Sequence, residues 1–178
     1  MDIRNIKLLI MKKIIVTLLC FLCCFGADAV TFVVNGISYI VTSTSELTVS
    51  VNSKRPKYSG DVIIPETVTY NGKEFTVTGI DFGAFVDCGD LKSVSIPKTI
   101  INIDKQLFNN TMALAKIIVA EDNPYFCDVD GVLFDKDVTA LYYYPNAKGS
   151  SYTLPSTTKV IPDECGFLIC WGLSSLIL

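Results

Sequence analysis

The chain has 178 residues, of which 15 are lysine or arginine, 18 are aspartate or glutamate and none is histidine. Its formal charge of −3 argues against a nucleic acid or an anionic membrane held by bulk charge. The absence of histidine excludes histidine general acid–base catalysis, Ser-His and Cys-His nucleophiles and most catalytic zinc sites. We therefore expect a chain without enzyme activity, cofactor or metal.

The N-terminus has the pattern of a secretory signal peptide. Met11-Lys12-Lys13 is a basic start, Ile14 to Phe25 is a short apolar run, and Ala27-Asp28-Ala29 is a small-residue cleavage site. The apolar run is shorter than the ~20 residues of a spanning helix, which favours cleavage after Ala29 over a membrane anchor. We expect a secreted or cell-surface protein with no membrane span after cleavage of residues 1–29.

Four cysteines remain after this cleavage, and none of them forms a C-x-x-C pair: Cys88, Cys127, Cys165 and Cys170. An exported chain can form disulfides, but the repeat described below places three of the four at apolar core positions. Buried thiols that pack as small apolar groups are therefore favoured over disulfides and over a metal site.

Residues 30–60 are predicted to form an N-terminal β cap. Apolar residues alternate on both sides of Asn35-Gly36, a dipeptide that tolerates the positive φ angles of a tight hairpin turn. The alternation continues through Leu47, Val49 and Val51. A second hairpin of the same kind is predicted around Asn71-Gly72.

The rest of the chain repeats itself at a fixed spacing. The first copy comprises Ile80, Phe85, Cys88, Leu91, Val94 and Ile96, and 23 residues later the second comprises Ile103, Phe108, Thr111, Leu114, Ile117 and Val119. A third copy contains Phe167, Cys170, Leu173, Leu176 and Leu178. Such a period is typical of solenoids, in which each unit buries its apolar face only against its neighbours.

Short strands are predicted to begin at five similar positions, namely Val62, Val94, Ile117, Tyr152 and Leu176. The intervals are 32, 23, 35 and 24 residues, and the two that exceed the 23-residue unit by 9 and 12 each contain a predicted hairpin. The first hairpin surrounds Asn71-Gly72, and in the second Val132–Phe134 turns at Asp135–Asp137 into Thr139–Tyr144. With one short helical turn per unit, residues 61–178 are predicted to form a β-rich α/β solenoid with a parallel sheet.

The motif at Ile80–Pro97, Ile-x-x-x-Ala-Phe-x-x-Cys-x-x-Leu-x-x-Val-x-Ile-Pro, resembles the BspA-type leucine-rich repeat of bacterial surface proteins. Asn123–Phe134 and Val62–Val77 resemble other segments that recur in that family. Thr111 departs from the motif, because the family usually has cysteine there. The resemblance implies a non-catalytic leucine-rich-repeat protein that is secreted or on the cell surface and is linked to adhesion or to binding host proteins.

The outward side of the parallel sheet is the candidate binding surface, because the repeat does not constrain its residues. The positions between the inward ones are Ser93, Ser95, Lys116, Ile118, Ser175 and Ile177. The expected partner is another protein, such as a host or matrix protein, or a surface glycan. A glycan-binding accessory protein is the alternative, since Tyr142–Tyr144 and Trp171 could stack on sugars, although successive tyrosines of a strand face opposite sides.

Two further features of the sequence are a group of aspartates between residues 128 and 137 and an apolar C-terminus. Asp128, Asp130, Asp135 and Asp137 suggest a calcium loop, but no glutamate closes it, so hairpin turns are favoured. The last residues, Leu173–Leu178, are the final strand itself and lack the proline that follows Ile64, Ile96 and Leu154. We expect a chain truncated at its C-terminus that has no independent function or self-associates through this edge strand.

Overall fold

The computed structural model describes residues 30–104, 107–161 and the backbone of 175–177. The predicted signal peptide, Cys165, Cys170, Trp171 and the side chains of Ser175 and Ile177 lie outside the described residues. Among the residues that it does describe, no helix is long and apolar enough to cross a membrane.

The described residues form 14 strands. In chain order they are β1 (Thr31–Val34), β2 (Ile37–Ser43), β3 (Thr48–Asn52), β4 (Gly60–Ile63), β5 (Thr67–Tyr70), β6 (Lys73–Ile80), β7 (Leu91–Ile96), β8 (Asn102–Ile103), β9 (Lys116–Val119), β10 (Phe126–Val129), β11 (Val132–Asp135), β12 (Leu141–Tyr143), β13 (Ser151–Thr153) and β14 (Ser175–Ile177).

The strands predicted from the repeat pair in parallel. β4, β7 and β9 form one sheet, in which Val62 lies opposite Val94 and Val94 lies opposite Ile117. β13 and β14 form a second parallel pair, with Tyr152 opposite Leu176. Equivalent repeat positions are thus neighbours in the ladder, which confirms the register.

The hairpins turn at the predicted dipeptides. Asn35-Gly36 joins β1 to β2 with φ angles of 49° and 78°, and Asn71-Gly72 joins β5 to β6 with 50° and 74°. Asp130-Gly131 joins β10 to β11 with 53° and 79°. Two successive positive φ angles are the geometry of the type I′ turn, which matches the twist of an antiparallel pair.

A second parallel ladder connects the predicted cap to the first repeat. Val49 of β3 lies opposite Val77 of β6, and Ile80 of β6 lies opposite Ile103 of β8. Gly79 leaves room for the Ser50 side chain, because a Cβ atom at residue 79 would lie 2.6 Å from the Oγ of Ser50. A six-stranded sheet therefore contains both the three strands of residues 30–60 and strands of the repeat.

A row of four aromatic rings runs through the core, and its two middle rings, Phe85 and Phe108, are equivalent positions of the repeat. Ring centroids lie 5.0 Å apart for Tyr58 and Phe85, 5.5 Å for Phe85 and Phe108, and 4.9 Å for Phe108 and Tyr143. The aliphatic positions of the two repeats surround these rings in the same buried cluster: Leu91, Val94, Ile96, Leu114, Ile117 and Val119. The core predicted from the 23-residue spacing is confirmed.

The predicted helical turns are replaced by tight turns. Val86 N donates to Gly83 O and Cys88 N donates to Phe85 O, each across three residues. Gly83 and Asp87 have φ angles of 70° and 59°, which a right-handed helix does not accommodate. The described residues form a strand-rich leucine-rich-repeat fold without helices, so the α/β part of the predicted fold class is not confirmed.

Candidate functional site

The register of β4, β7 and β9 arranges the outward residues of this sheet in two rows. One row is Asp61, Ser93 and Lys116, and the other is Ile63, Ser95 and Ile118. These six residues are called the outer face below. Alternate residues of a strand face opposite sides of the sheet, so the buried Val62, Val94 and Ile117 anchor its other side in the core.

The first row places two opposite charges on either side of a hydroxyl group. Ser93 is 5% exposed, and its Oγ donates a hydrogen bond of 2.5 Å to Asp61 Oδ1. Lys116 is exposed at the other end of the row. Two strand spacings, about 10 Å, separate the backbones of Asp61 and Lys116, so both charges remain available to a partner.

The second row places two exposed isoleucines on either side of Ser95. Ile63 is 72% exposed and Ile118 is 41% exposed, while Ser95 is half-buried. Two strand spacings, about 10 Å, separate the backbones of the two isoleucines along this row.

A hairpin covers the β9 edge of this sheet. Ile117 N donates to Gly131 O at 2.9 Å, and Val119 N donates to Asp128 Oδ1 at 2.8 Å. A Cβ atom on Gly131 would lie 2.9 Å from the Cβ of Lys116, so the turn approaches the strand as closely as glycine allows.

Two clefts lie along the opposite edge, beside β4. One, of about 360 Å³, lies between β4 and the β1–β2 turn and is lined by residues that include Lys54, Tyr58, Asp61 and Ile63. The other, of about 330 Å³, runs from Ile63 to Thr69. Ile63 and the β1–β2 turn border both clefts, so the β4 edge is accessible where the β9 edge is covered.

Comparison with known proteins identifies the repeat. Residues 61–128 match the family model described as BspA type leucine rich repeat region, with 6 copies. This segment is similar to the repeat of that family. A search of curated proteins gives no significant match.

Solved structures share the fold of this chain. A leucine-rich repeat protein from Bacteroides ovatus ATCC 8483 is 25% identical with a TM-score of 0.55, over 83% of this chain and 41% of that one. A leucine rich cell surface protein from Faecalibacterium prausnitzii A2-165 is 15% identical with a TM-score of 0.52, over 86% and 44%. The chain therefore spans less than half of the length of either protein.

The outer face of the BspA-type region contains four of the six residues selected from the sequence: Ser93, Ser95, Lys116 and Ile118. Ser175 and Ile177 pair through their backbones with Ser151 and Thr153 in the separate β13–β14 ladder. Asp61 and Ile63 were missed, although Val62 had been aligned with Val94 and its flanking residues therefore share the face. The alignment of the strands was the signal that would have found them.

The aspartates of the β10–β12 hairpins make structural hydrogen bonds. Asp135 accepts bonds from the backbone N–H groups of Thr139 and Ala140 and from the Thr139 hydroxyl. Desolvation opposes ionisation of Asp135, but the bonds from Ala140 and Thr139 outweigh it and lower its pKa. Asp128 accepts a bond from Gly131 N, and Asp130 pairs with Lys148 at 2.8 Å. These contacts are those of hairpin turns.

The tyrosine run does not form a flat platform for sugars. Tyr143 and Tyr144 are buried in two different core clusters. Tyr142 is half-buried, and its ring meets that of Phe126 edge-on at a centroid distance of 5.2 Å. Within this run the rings therefore serve packing.

Proposed function

We propose that the protein is a non-catalytic extracellular leucine-rich-repeat module that binds another protein in adhesion at the cell surface, and that the outer face makes the contact. The BspA-type repeat region supports a role in protein binding. The signal-peptide pattern and the similarity to a cell surface protein of F. prausnitzii support an extracellular location.

The observation that carries this proposal is the row of Ile63, Ser95 and Ile118. The buried residues between these positions supply the core, and the two isoleucines leave apolar surface exposed to solvent. Asp61 and Lys116 lie beside them and add a charge of each sign. Apolar contacts bordered by charges are the usual composition of a protein–protein interface.

The same residues argue against catalysis at this face. It has one carboxylate, that of Asp61, which accepts a hydrogen bond from Ser93. Glycoside hydrolysis, the activity nearest to the glycan alternative, requires two carboxyl groups facing each other across a cleft.

Site-specific photo-crosslinking in cells that export the protein tests the proposal. A benzoylphenylalanine at Ile118 should give covalent adducts with a protein. The matched control is Ile101, which is 44% exposed but follows β7 and lies outside the outer face. Equal adducts at both positions, or none at Ile118, would contradict the proposal, and an adduct removed by glycosidases would favour the glycan alternative.

A further inference from the structure

One edge of β4 has main-chain N–H and C=O groups that face no other strand among the described residues. Gly60 N donates to Asp90 O at 2.8 Å, and Ile64 N donates to Ser95 O at 3.0 Å, so both N–H groups point towards β7. Main-chain groups of a strand alternate between its two sides, so those of Asp61 and Ile63 point away from β7. In the described part of the chain, β4 pairs with β7 alone.

The two edges of the sheet differ in this respect. The outward N–H groups of Ile117 and Val119 on β9 are bonded to Gly131 O and Asp128 Oδ1. The fold thus blocks strand addition at β9, whereas the first cleft runs along β4. An exposed sheet edge with free main-chain groups is the feature to which an extended peptide adds as a further strand.

The cleft also carries a positive charge without an ion pair. Lys54 Nζ lies 4.8 Å from the centre of the Tyr58 ring, and no carboxylate among the described residues forms a salt bridge with it. Lys57, by contrast, donates to Val86 O at 2.6 Å. The carboxylate of Asp61 points to the outer face, where Ser93 binds it. The free charge of the cleft is therefore that of Lys54.

We infer that the β4 edge binds a short extended segment of the protein partner as an added strand, with an apolar side chain against Ile63 and Ile37 and an acidic group towards Lys54. The inference rests on the proposed role in protein binding, but it concerns the edge of the sheet rather than its face. Because Ile63 belongs to both, the segment would continue directly into the contact made by the outer face.

Selection of peptides tests this inference without a known partner. A display library of random eight-residue peptides is selected on the purified full-length protein, and bound clones are compared on Ile63→Pro and Ile63→Thr. Proline removes the outward N–H of residue 63 without breaking a bond to β7, whereas threonine retains it. We expect alternating apolar peptides with an acidic residue that bind Ile63→Pro at least about tenfold more weakly than Ile63→Thr.

Three further tests of strand addition do not depend on Ile63→Pro, and they remain valid if the proline itself destabilises that variant. An enriched peptide should slow hydrogen exchange at the amides of Asp61 and Ile63 in the wild-type protein. The peptide is also methylated at every second main-chain nitrogen, in either of the two alternating sets. Methylation of the set that faces β4 should abolish binding, whereas methylation of the set that faces away should not. Lys54→Gln should weaken binding, with exposed Lys73→Gln as its control.

Several outcomes would overturn the inference: no enriched peptides, equal binding to the proline and threonine variants, or exchange protection elsewhere. Pairing of two copies of this chain through β4, seen as a dimer that Ile63→Pro dissociates, would overturn the assigned occupant. If these results occurred while Ile118 still gave protein adducts, the inference about the β4 edge would be wrong and the proposed function of the outer face would be unaffected.

Discussion

Phe85 and Phe108 stack with their ring centroids 5.5 Å apart and their planes inclined by 5°. They are separated by 23 positions in the chain, which is the spacing of the repeat. This nearly parallel pair shows that consecutive units are related mainly by a translation along the stack. The same translation aligns Val94 with Ile117 and so creates the rows of the outer face.

Phe108→Ala should lower the free energy of unfolding by about 3–5 kcal/mol, because it removes a buried ring from the middle of the aromatic stack. Urea unfolding measures the change. Phe82→Ala is the matched control, since Phe82 is exposed and its removal should cost less than about 1 kcal/mol. A loss below about 1 kcal/mol for Phe108→Ala would contradict the stacking of the repeats.

Asn123→Ala should destabilise the fold by roughly 2–4 kcal/mol, because several buried main-chain groups lose their partner. The buried Asn123 donates through Nδ2 to Pro97 O and Ile100 O, and its Oδ1 accepts from the N–H groups of Tyr125 and Phe126. Urea unfolding again measures the effect.

The neighbouring Asp122→Ala variant controls for this measurement. Asp122 lies 3.4 Å from Lys98 in an exposed ion pair, and solvent screening leaves such a pair little effect on stability. Equal losses for the Asn123 and Asp122 variants would show that the buried bonds are not what holds the 120–126 turn.

Stability should fall between pH 10 and pH 12. Burial raises the pKa of Tyr39, Tyr58 and Tyr152 from 10.0 to about 12. The unfolded chain therefore loses these protons at a lower pH than the folded chain, so the stabilisation is complete below pH 10 and is lost as the pH rises to 12. Chemical unfolding across this range should show a smaller alkaline loss in Tyr39→Phe, and an unchanged loss would argue against the burial of this phenol.

Cys88 should resist alkylation in the folded protein more strongly than Cys127. Cys88 is fully buried and Cys127 is half-buried, neither forms a disulfide, and burial raises the pKa of both thiols. Iodoacetamide labelling with peptide mapping distinguishes the two sites. In the denatured, unreduced protein the repeat spacing predicts four reactive thiols, and a Cys88–Cys170 bridge would contradict that spacing.

The period of the repeat was sufficient to predict the strands and much of the core. Val62, Val94, Ile117 and Tyr152 each carry the same local pattern, and local patterns determine strand positions and turn types. The β3–β6 pairing could not be predicted, because it joins residues of two different segments and no motif specifies the partner of an edge strand. One helical turn per unit was predicted from the repeat, but Gly83 and Asp87 adopt left-handed backbone angles.

The candidate site was only partly predictable for a related reason. Ser93, Ser95, Lys116 and Ile118 follow from alternation within a strand. The edge of β4 that faces no strand among the described residues depends on the tertiary pairing of the strands and on where Lys54 lies, and neither is encoded in a local pattern. Asn123 was likewise visible only as part of a family segment, since its four hydrogen bonds reach two separate turns.

The affinity of the protein partner for outer-face variants tests the central claim most directly. With the partner captured through Ile118, its dissociation constant is measured for wild type, Ile118→Lys and Ile101→Lys, after urea unfolding has shown equal stability. We predict that Ile118→Lys weakens binding about tenfold or more, because a lysine replaces an apolar contact at the interface, and that Ile101→Lys has no effect. Equal affinities for all three proteins would contradict the assignment of the outer face as the binding surface.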